Sequence, residues 1–217
     1  MQRSVAMNLR QALTHRRKNQ IFHHIGTRQQ PNYDVFINHR GTDTKRSVAS
    51  LLYDHLYQLK LRPFLDNKNM KPGDKLFEKI DAAITGCKIG VAVFSPRYCE
   101  SYFCLHELAL MMELKKKVIP IFCDVKPSEL NVVADRRIPS EEAERFNLAL
   151  EEAKYTVGLA FDSQKGNWSD VVKNTVDIVV ESLIEVEDEE EERLLQPSNH
   201  FSYTPRALMQ LQDPRKL

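Results

Sequence analysis

Ile89–Phe94 reads IGVAVF, six apolar residues in a row with no polar position to mark a wet face. A strand exposed on one side alternates. An unbroken run of this length fits a strand covered on both faces, as in a parallel sheet between layers of helices. Working outward, Val118–Phe122 (VIPIF) repeats the pattern, and Tyr33–His39 (YDVFINH) is another short apolar strand. Between these lie stretches of helical period. Thr44–Lys60 brings Val48, Leu51, Leu52, Leu56 and Leu59 onto one stripe. Leu76–Thr85 groups Leu76, Ile80, Ala83 and Ile84, with Gly86 as its stop, and Ser101–Leu114 follows.

Arg62–Leu65 (RPFL) is a short strand that Pro63 confines to an edge, and Asp66–Asp74 (DNKNMKPGD) is a loop. Ser140–Tyr155 reads as a helix and Thr156–Phe161 as a fifth, edge strand. Trp168–Val186 is a helix with Val172, Val176, Val179, Val180 and Leu183 inward. Strands alternating with helices build parallel βαβ units. The expected fold is therefore an α/β, flavodoxin-like, doubly wound five-stranded parallel sheet of order 2-1-3-4-5, in one domain with disordered tails. In such sheets ligands bind beyond the carboxyl ends of the strands, where the strand order reverses. That point falls at His39–Asp43 and Phe94–Ser101.

Composition bounds the rest. The chain has 217 residues, 42% of them hydrophobic and 28% charged, which fits one globular domain plus tails. Six of the 31 basic residues and none of the 30 acidic ones lie in residues 1–33, which leaves the remainder at −5. The expected division is a basic, disordered arm over 1–31, a folded domain over 32–186, and an acidic then polar disordered tail over 187–217. The arm is Arg-rich and acid-poor like a transit peptide, but Ser-poor, which leaves organelle targeting open. No run of 18 apolar residues occurs and the N-terminus has no apolar signal core, so no membrane association is expected. Cys87, Cys99, Cys104 and Cys123 form neither a CxxC pair nor a zinc spacing, so no metal is expected. A reduced, cytoplasmic protein is the simplest reading, with a nuclear pool left open.

Neither GxGxxG nor GxxxxGK[ST] is present, which argues against dinucleotide-binding dehydrogenases and P-loop enzymes. GxSxG is missing as well, and with it the hydrolase nucleophile turn. A phospho-receiver needs acids after strands one and three, where this chain has His39-Arg40 and Ser95-Pro96. A near-neutral balance argues weakly against nucleic acid as the partner, although the basic arm at residues 1–33 leaves an activity on RNA or DNA open.

Five blocks, in order and in register, resemble plant TIR (Toll/interleukin-1 receptor-type) domains, particularly TIR-only proteins. They are YDVFINHRGTDTK (Tyr33–Lys45), Pro72-Gly73-Asp74, Ile84–Tyr98, SYFCLHEL (Ser101–Leu108) and VIPIFCDVKPSE (Val118–Glu129). The resemblance implies an NAD⁺ nucleosidase, with NAD⁺ as substrate and no cofactor, in plant defence signalling. It implies cleavage of the nicotinamide–ribose bond to nicotinamide and ADP-ribose or a cyclic isomer. The alternative it allows is a non-catalytic adaptor that binds other TIR proteins. Self-association through TIR–TIR contacts is expected in either case.

The essential acid implied by the CLxEL match is Glu107. A fixed carboxylate suits this chemistry, because positive charge builds on the ribose as nicotinamide departs. Nicotinamide is already a cationic leaving group and needs no proton, so one carboxylate can serve where a glycosidase uses two. The resemblance places Arg40, Gly41, Asp43, Lys45, Ser101 and Phe103 in the nucleotide site. Arg40 would meet phosphate and Gly41 would let the backbone approach. Asp43 is expected chiefly as a helix cap. Lys45 stands where the family commonly has Arg, and Phe103 replaces a common Trp. Lys71, Pro72, Gly73 and Asp74 form the BB loop, expected to gate the site and make subunit contacts. Cys104 is read as core rather than nucleophile, with His106 pointing away from it. A Ser-His pair that mediates one family dimer contact survives only as Ser50, since Leu51 replaces the His.

Overall fold

The computed structural model describes residues 33–132 and 138–195. The readings of the basic arm and of the polar stretch beyond Leu195 lie outside the described residues. Five strands form one sheet: β1 (Val35–His39), β2 (Pro63–Phe64), β3 (Ile89–Phe94), β4 (Lys117–Cys123) and β5 (Leu159–Phe161). Their order is β2-β1-β3-β4-β5, and every neighbouring pair is parallel. The helices are α1 (Gly41–Thr44), α2 (Val48–Gln58), α3 (Asp66–Asn69), α4 (Leu76–Gly86), α5 (Tyr102–Glu113), α6 (Ser140–Tyr155) and α7 (Trp168–Leu195).

Side chains alternate across a strand, so β1 feeds two cores. Val35 and Ile37 join α2 and α7, while Phe36 joins α4, α5 and α6. β3, the strand read first, is buried along its whole length, as a central strand covered on both faces must be. α5 lies deep, with Cys104, Leu105, Leu108, Ala109 and Met111 all buried against the sheet or its neighbours. Its position explains why its polar residues are so informative.

Three expectations need correction. Thr44–Lys60 is not one helix: α1 ends at Thr44 and α2 starts at Val48. The Thr44 and Ser47 hydroxyls bond back to the Arg40 and Thr44 carbonyls, an alternative to continued helix, and Ser47 leaves helical geometry. The α2 stripe is accordingly Val48, Ala49, Leu52 and Leu56, while Leu51 is 45% exposed. The loop after β2 opens with a helical turn, α3, because the Leu65 N–H donates to the Asn69 side chain. Finally, α7 does not stop at Val186 but runs through the acidic stretch to Leu195. Glu187 is buried there and paired with Lys88 at the start of β3, and Glu185 pairs with Lys117. These two cations draw part of the acidic run into helix rather than leaving it as self-repelling coil.

Candidate active site

The carboxyl ends of β1 and β3 lie side by side, and the loops that follow them are stapled together. Asp43, on α1, accepts hydrogen bonds from the Ser95 hydroxyl (2.8 Å) and the Arg97 backbone N–H (3.2 Å). The Arg97 guanidinium adds a two-pronged contact to the same carboxylate. Burial pushes the Asp43 carboxyl up, but these bonds outweigh it and hold the group below the usual range. Asp43 therefore does not cap the next helix as expected. It ties the loop carrying Arg40 and Gly41 to the loop after β3.

Glu107 projects from α5 toward β1. The helix presents Cys104, Leu108 and Met111 on a buried stripe, and Glu107 shares it. Only 9% of the residue is exposed. Its Oε2 accepts a 2.8 Å hydrogen bond from the Asn38 amide, on the same face of β1 as Phe36. Burial pushes the Glu107 carboxyl up to about 8; Asn38 opposes that, and the Asp66 and Asp81 carboxylates reinforce it. A desolvated carboxylate with one hydrogen bond is costly in a mere scaffold and is what a site for a cation would hold.

Around it stand groups with unmet polar capacity. Both ring nitrogens of His39 and the Arg40 Nε are buried without a hydrogen-bond partner. His39 Nε2 lies 3.5 Å from Asp66 Oδ1, on α3, too far for a good hydrogen bond. Above Gly41 the space is open except for the His39 ring, 3.8 Å from where a Cβ would sit. Lys45 is exposed near Asp66 and helps hold the Asp66 carboxyl below its ordinary range, after the larger contribution of His39.

The other expected residues take distinct places. Ser101 is the N-cap of α5: its hydroxyl accepts from the Cys104 N–H at 3.3 Å, so it positions the helix rather than facing open space. Phe103 is partly exposed, packs on Phe77 from α4 at 5.3 Å and sits one turn before Glu107. Lys71–Asp74 forms a tight turn in which the Asp74 N–H returns to the Lys71 carbonyl. Pro72 occupies its second position and Gly73, at φ 98°, its third, which is the glycine-requiring geometry of a type II turn. All four residues are exposed. Cys104 is core: burial pushes its thiol up to about 12, and its sulfur donates to the His39 carbonyl. His106 turns to Asp81 at 3.0 Å, away from Cys104.

Asn38 and His39, with Asp66, Phe77 and Tyr98, were not given site roles from the sequence, although His39 and Tyr98 fall within the two spans at the reversal point. The first two carried a signal: polar residues ending a strand that the fold buries on both faces. Among the described residues, no group of three His, Cys, Asp or Glu side chains is placed to hold a metal ion. A hollow of about 530 Å³ opens at the amino-terminal ends of β4 and β5, lined in part by Met112, Lys116, Thr156, Val157 and Ile178, and contains none of these residues.

The sequence model of the TIR domain family matches residues 32–178. The chain belongs to the TIR family. It is 49% identical over 166 residues to a probable 2′ cyclic ADP-D-ribose synthase, BdTIR, of Brachypodium distachyon, an alignment covering 75% of this chain and 74% of that one. It is 30% identical over 171 residues to the TMV resistance protein N of Nicotiana glutinosa, covering 71% of this chain but 15% of the larger protein. Among solved structures, the TIR domains of the activated Roq1 resistosome that recognises the effector XopQ superpose with a TM-score of 0.57 at 28% identity. That match covers 68% of this chain and 99% of the other. In this TIR domain the strand order, the reversal point and the buried acid all converge on one end of the sheet. Among the described residues, no helix is long and apolar enough to cross a membrane.

Proposed function

We propose that this TIR domain is an NAD⁺ nucleosidase of the ADP-ribosyl cyclase/hydrolase type. It cleaves the nicotinamide–ribose bond, releasing nicotinamide and ADP-ribose or a cyclic ADP-ribose-like signal in plant immune signalling. The observation that supports it is Glu107, a carboxylate held almost out of water by Asn38 at the reversal point of the sheet. In the ionised form this group stabilises the ribosyl cation more than it stabilises the substrate. The site's residues act around it. Arg40 offers a buried, unpaired Nε to phosphate, Gly41 offers open backbone, and Phe103 with Phe77 offers aromatic surface to a base. NAD⁺ is the substrate, and the reaction as written needs no cofactor.

The name of the Brachypodium relative places a cyclic ADP-ribose product within the family and supports this reading. The Roq1 match, an assembly of TIR domains, supports self-association through TIR–TIR contacts, and the exposure of the turn at Lys71–Asp74 is compatible with its sharing in them. A non-catalytic adaptor would gain nothing from a desolvated carboxylate facing its strand. Purified protein incubated with NAD⁺ should release nicotinamide, and Glu107→Ala should lose at least ~100-fold of that rate. Equal turnover by both proteins would refute the reading.

A further inference from the structure

We propose that Tyr98 and Asn38 are positioning residues for Glu107, Tyr98 anchoring the Asn38 amide and the amide holding the carboxylate in place at the carboxyl end of the sheet. This deepens the nucleosidase reading and rests on it. Asn38 is fully buried, so its amide orientation must be satisfied from within the protein. Its Nδ2 has two acceptors, the Cys104 carbonyl at 3.1 Å and Glu107 Oε2 at 2.8 Å. Its Oδ1 accepts from the Tyr98 hydroxyl. Turning the amide over would set Oδ1 against two oxygens, so the Cys104 carbonyl and Glu107 select the orientation, and the Tyr98 hydroxyl holds the amide in it.

Tyr98 has equally little freedom. It is fully buried in the 3-10 turn Tyr98–Glu100, its ring packs on Phe94 at 4.7 Å, and its hydroxyl also lies 3.0 Å from the Cys104 carbonyl. Neither Tyr98 nor Asn38 is open to a ligand, so they act on the reaction only through the groups they hold, Glu107 and the Cys104 carbonyl of α5. Oε2 is held by Asn38, which leaves Oε1 as the carboxylate oxygen not engaged by the amide.

The charged groups around Glu107 differ in sign: Arg40, after β1, is a cation of the same site and His39 stands beside it, while two carboxylates oppose ionisation. Asp66 comes from α3 and Asp81 from α4, and both raise its carboxyl. Tyr98 and Cys104 are themselves held protonated by burial. Arg145, from α6, is committed to Glu113 and lies against His106 instead. Asn38 makes the hydrogen bond that favours the anion, and loss of its donor, or of the hydroxyl that anchors it, makes the active form harder to reach.

The test is nicotinamide release from NAD⁺ across pH by the full chain carrying Tyr98→Phe, Asn38→Leu, both, or Tyr98→Phe with Glu107→Gln. Tyr98→Phe should lower kcat about tenfold with KM little changed, and Asn38→Leu about 100-fold. In both, the ascending limb of the pH profile should move to higher pH. The double variant should be no slower than Asn38→Leu, and Tyr98→Phe should add nothing once Glu107 is Gln. Melting curves monitor folding; should Asn38→Leu fail to fold, Tyr98→Phe, which only deletes a hydroxyl, decides. Wild type active and Glu107→Ala inactive, with Tyr98→Phe matching wild type in rate and pH midpoint, would overturn the positioning role alone. A wild type that releases no nicotinamide overturns the nucleosidase reading and this one with it.

Discussion

Glu107 on α5 and Asn38 on β1 meet through a 2.8 Å hydrogen bond although 69 residues separate them in the chain. The bond joins the CLxEL helix to the opening strand of the domain, and it is the contact that keeps a nearly dry carboxylate usable as an anion. Most of the measurable behaviour of the site should follow from the protonation of that one group.

The pH dependence of turnover comes first. Burial, with Asp66 and Asp81 adding to it, places the Glu107 carboxyl at about 8 in the free protein. The ionised form is the one that stabilises a ribosyl cation. The kcat/KM for nicotinamide release should therefore rise with pH, with a midpoint near about 8. Bound NAD⁺ brings a positive pyridinium beside the carboxylate, so the midpoint in kcat should lie lower. A profile that declines over the same range would contradict this assignment.

Stability should respond in the opposite sense. A carboxyl whose folded value, about 8, exceeds its ordinary 4.5 favours folding fully below 4.5, and that contribution is lost as pH rises through about 8. Glu107→Gln removes the dependence. Urea denaturation should find the two proteins alike in acid and the Gln variant more stable by up to roughly 5 kcal/mol in mild alkali. A variant less stable than wild type in alkali would count against a desolvated Glu107.

Asp43 gives a test away from the acid. Its carboxylate holds Ser95 and Arg97, and so fixes the loop that carries Arg40 and Gly41. Asp43→Asn keeps the size but weakens the charged contacts, at a cost of about 1.5 kcal/mol. It should also raise KM for NAD⁺ through the loosened loop. An unchanged melting temperature and KM together would show that the staple is incidental.

The extended α7 makes a further claim. Lys88 and Glu187 are paired with side-chain exposures of 12% and 4%. Glu187→Met strands the ammonium and should cost about 3 kcal/mol, whereas Lys88→Met with Glu187→Met should recover most of the loss. Additive losses in a thermal-denaturation cycle would mean that the pair does not act as a unit.

Much of this protein was legible from the order of its residues. The runs IGVAVF and VIPIF fit central strands, and the alternation of strand and helix periods implies a doubly wound parallel sheet, for which five strands fit the observed order β2-β1-β3-β4-β5. Glu107 was identified by motif, and its chemical role by the charge that a departing nicotinamide leaves behind. Local propensity failed where hydroxyls competed with the helix, at Thr44 and Ser47, and where a distant cation decided the outcome, at Glu187.

Only the tertiary structure could assign Asp43 to Arg97, turn Ser101 into a cap, and place Asn38 and Tyr98 behind Glu107. The reason is physical. Periodicity records which face of an element avoids water, a property of neighbours three or four positions apart. Burial of one carboxylate, and the single amide that accompanies it, depends on elements brought together by folding, and no local pattern encodes which of them will meet.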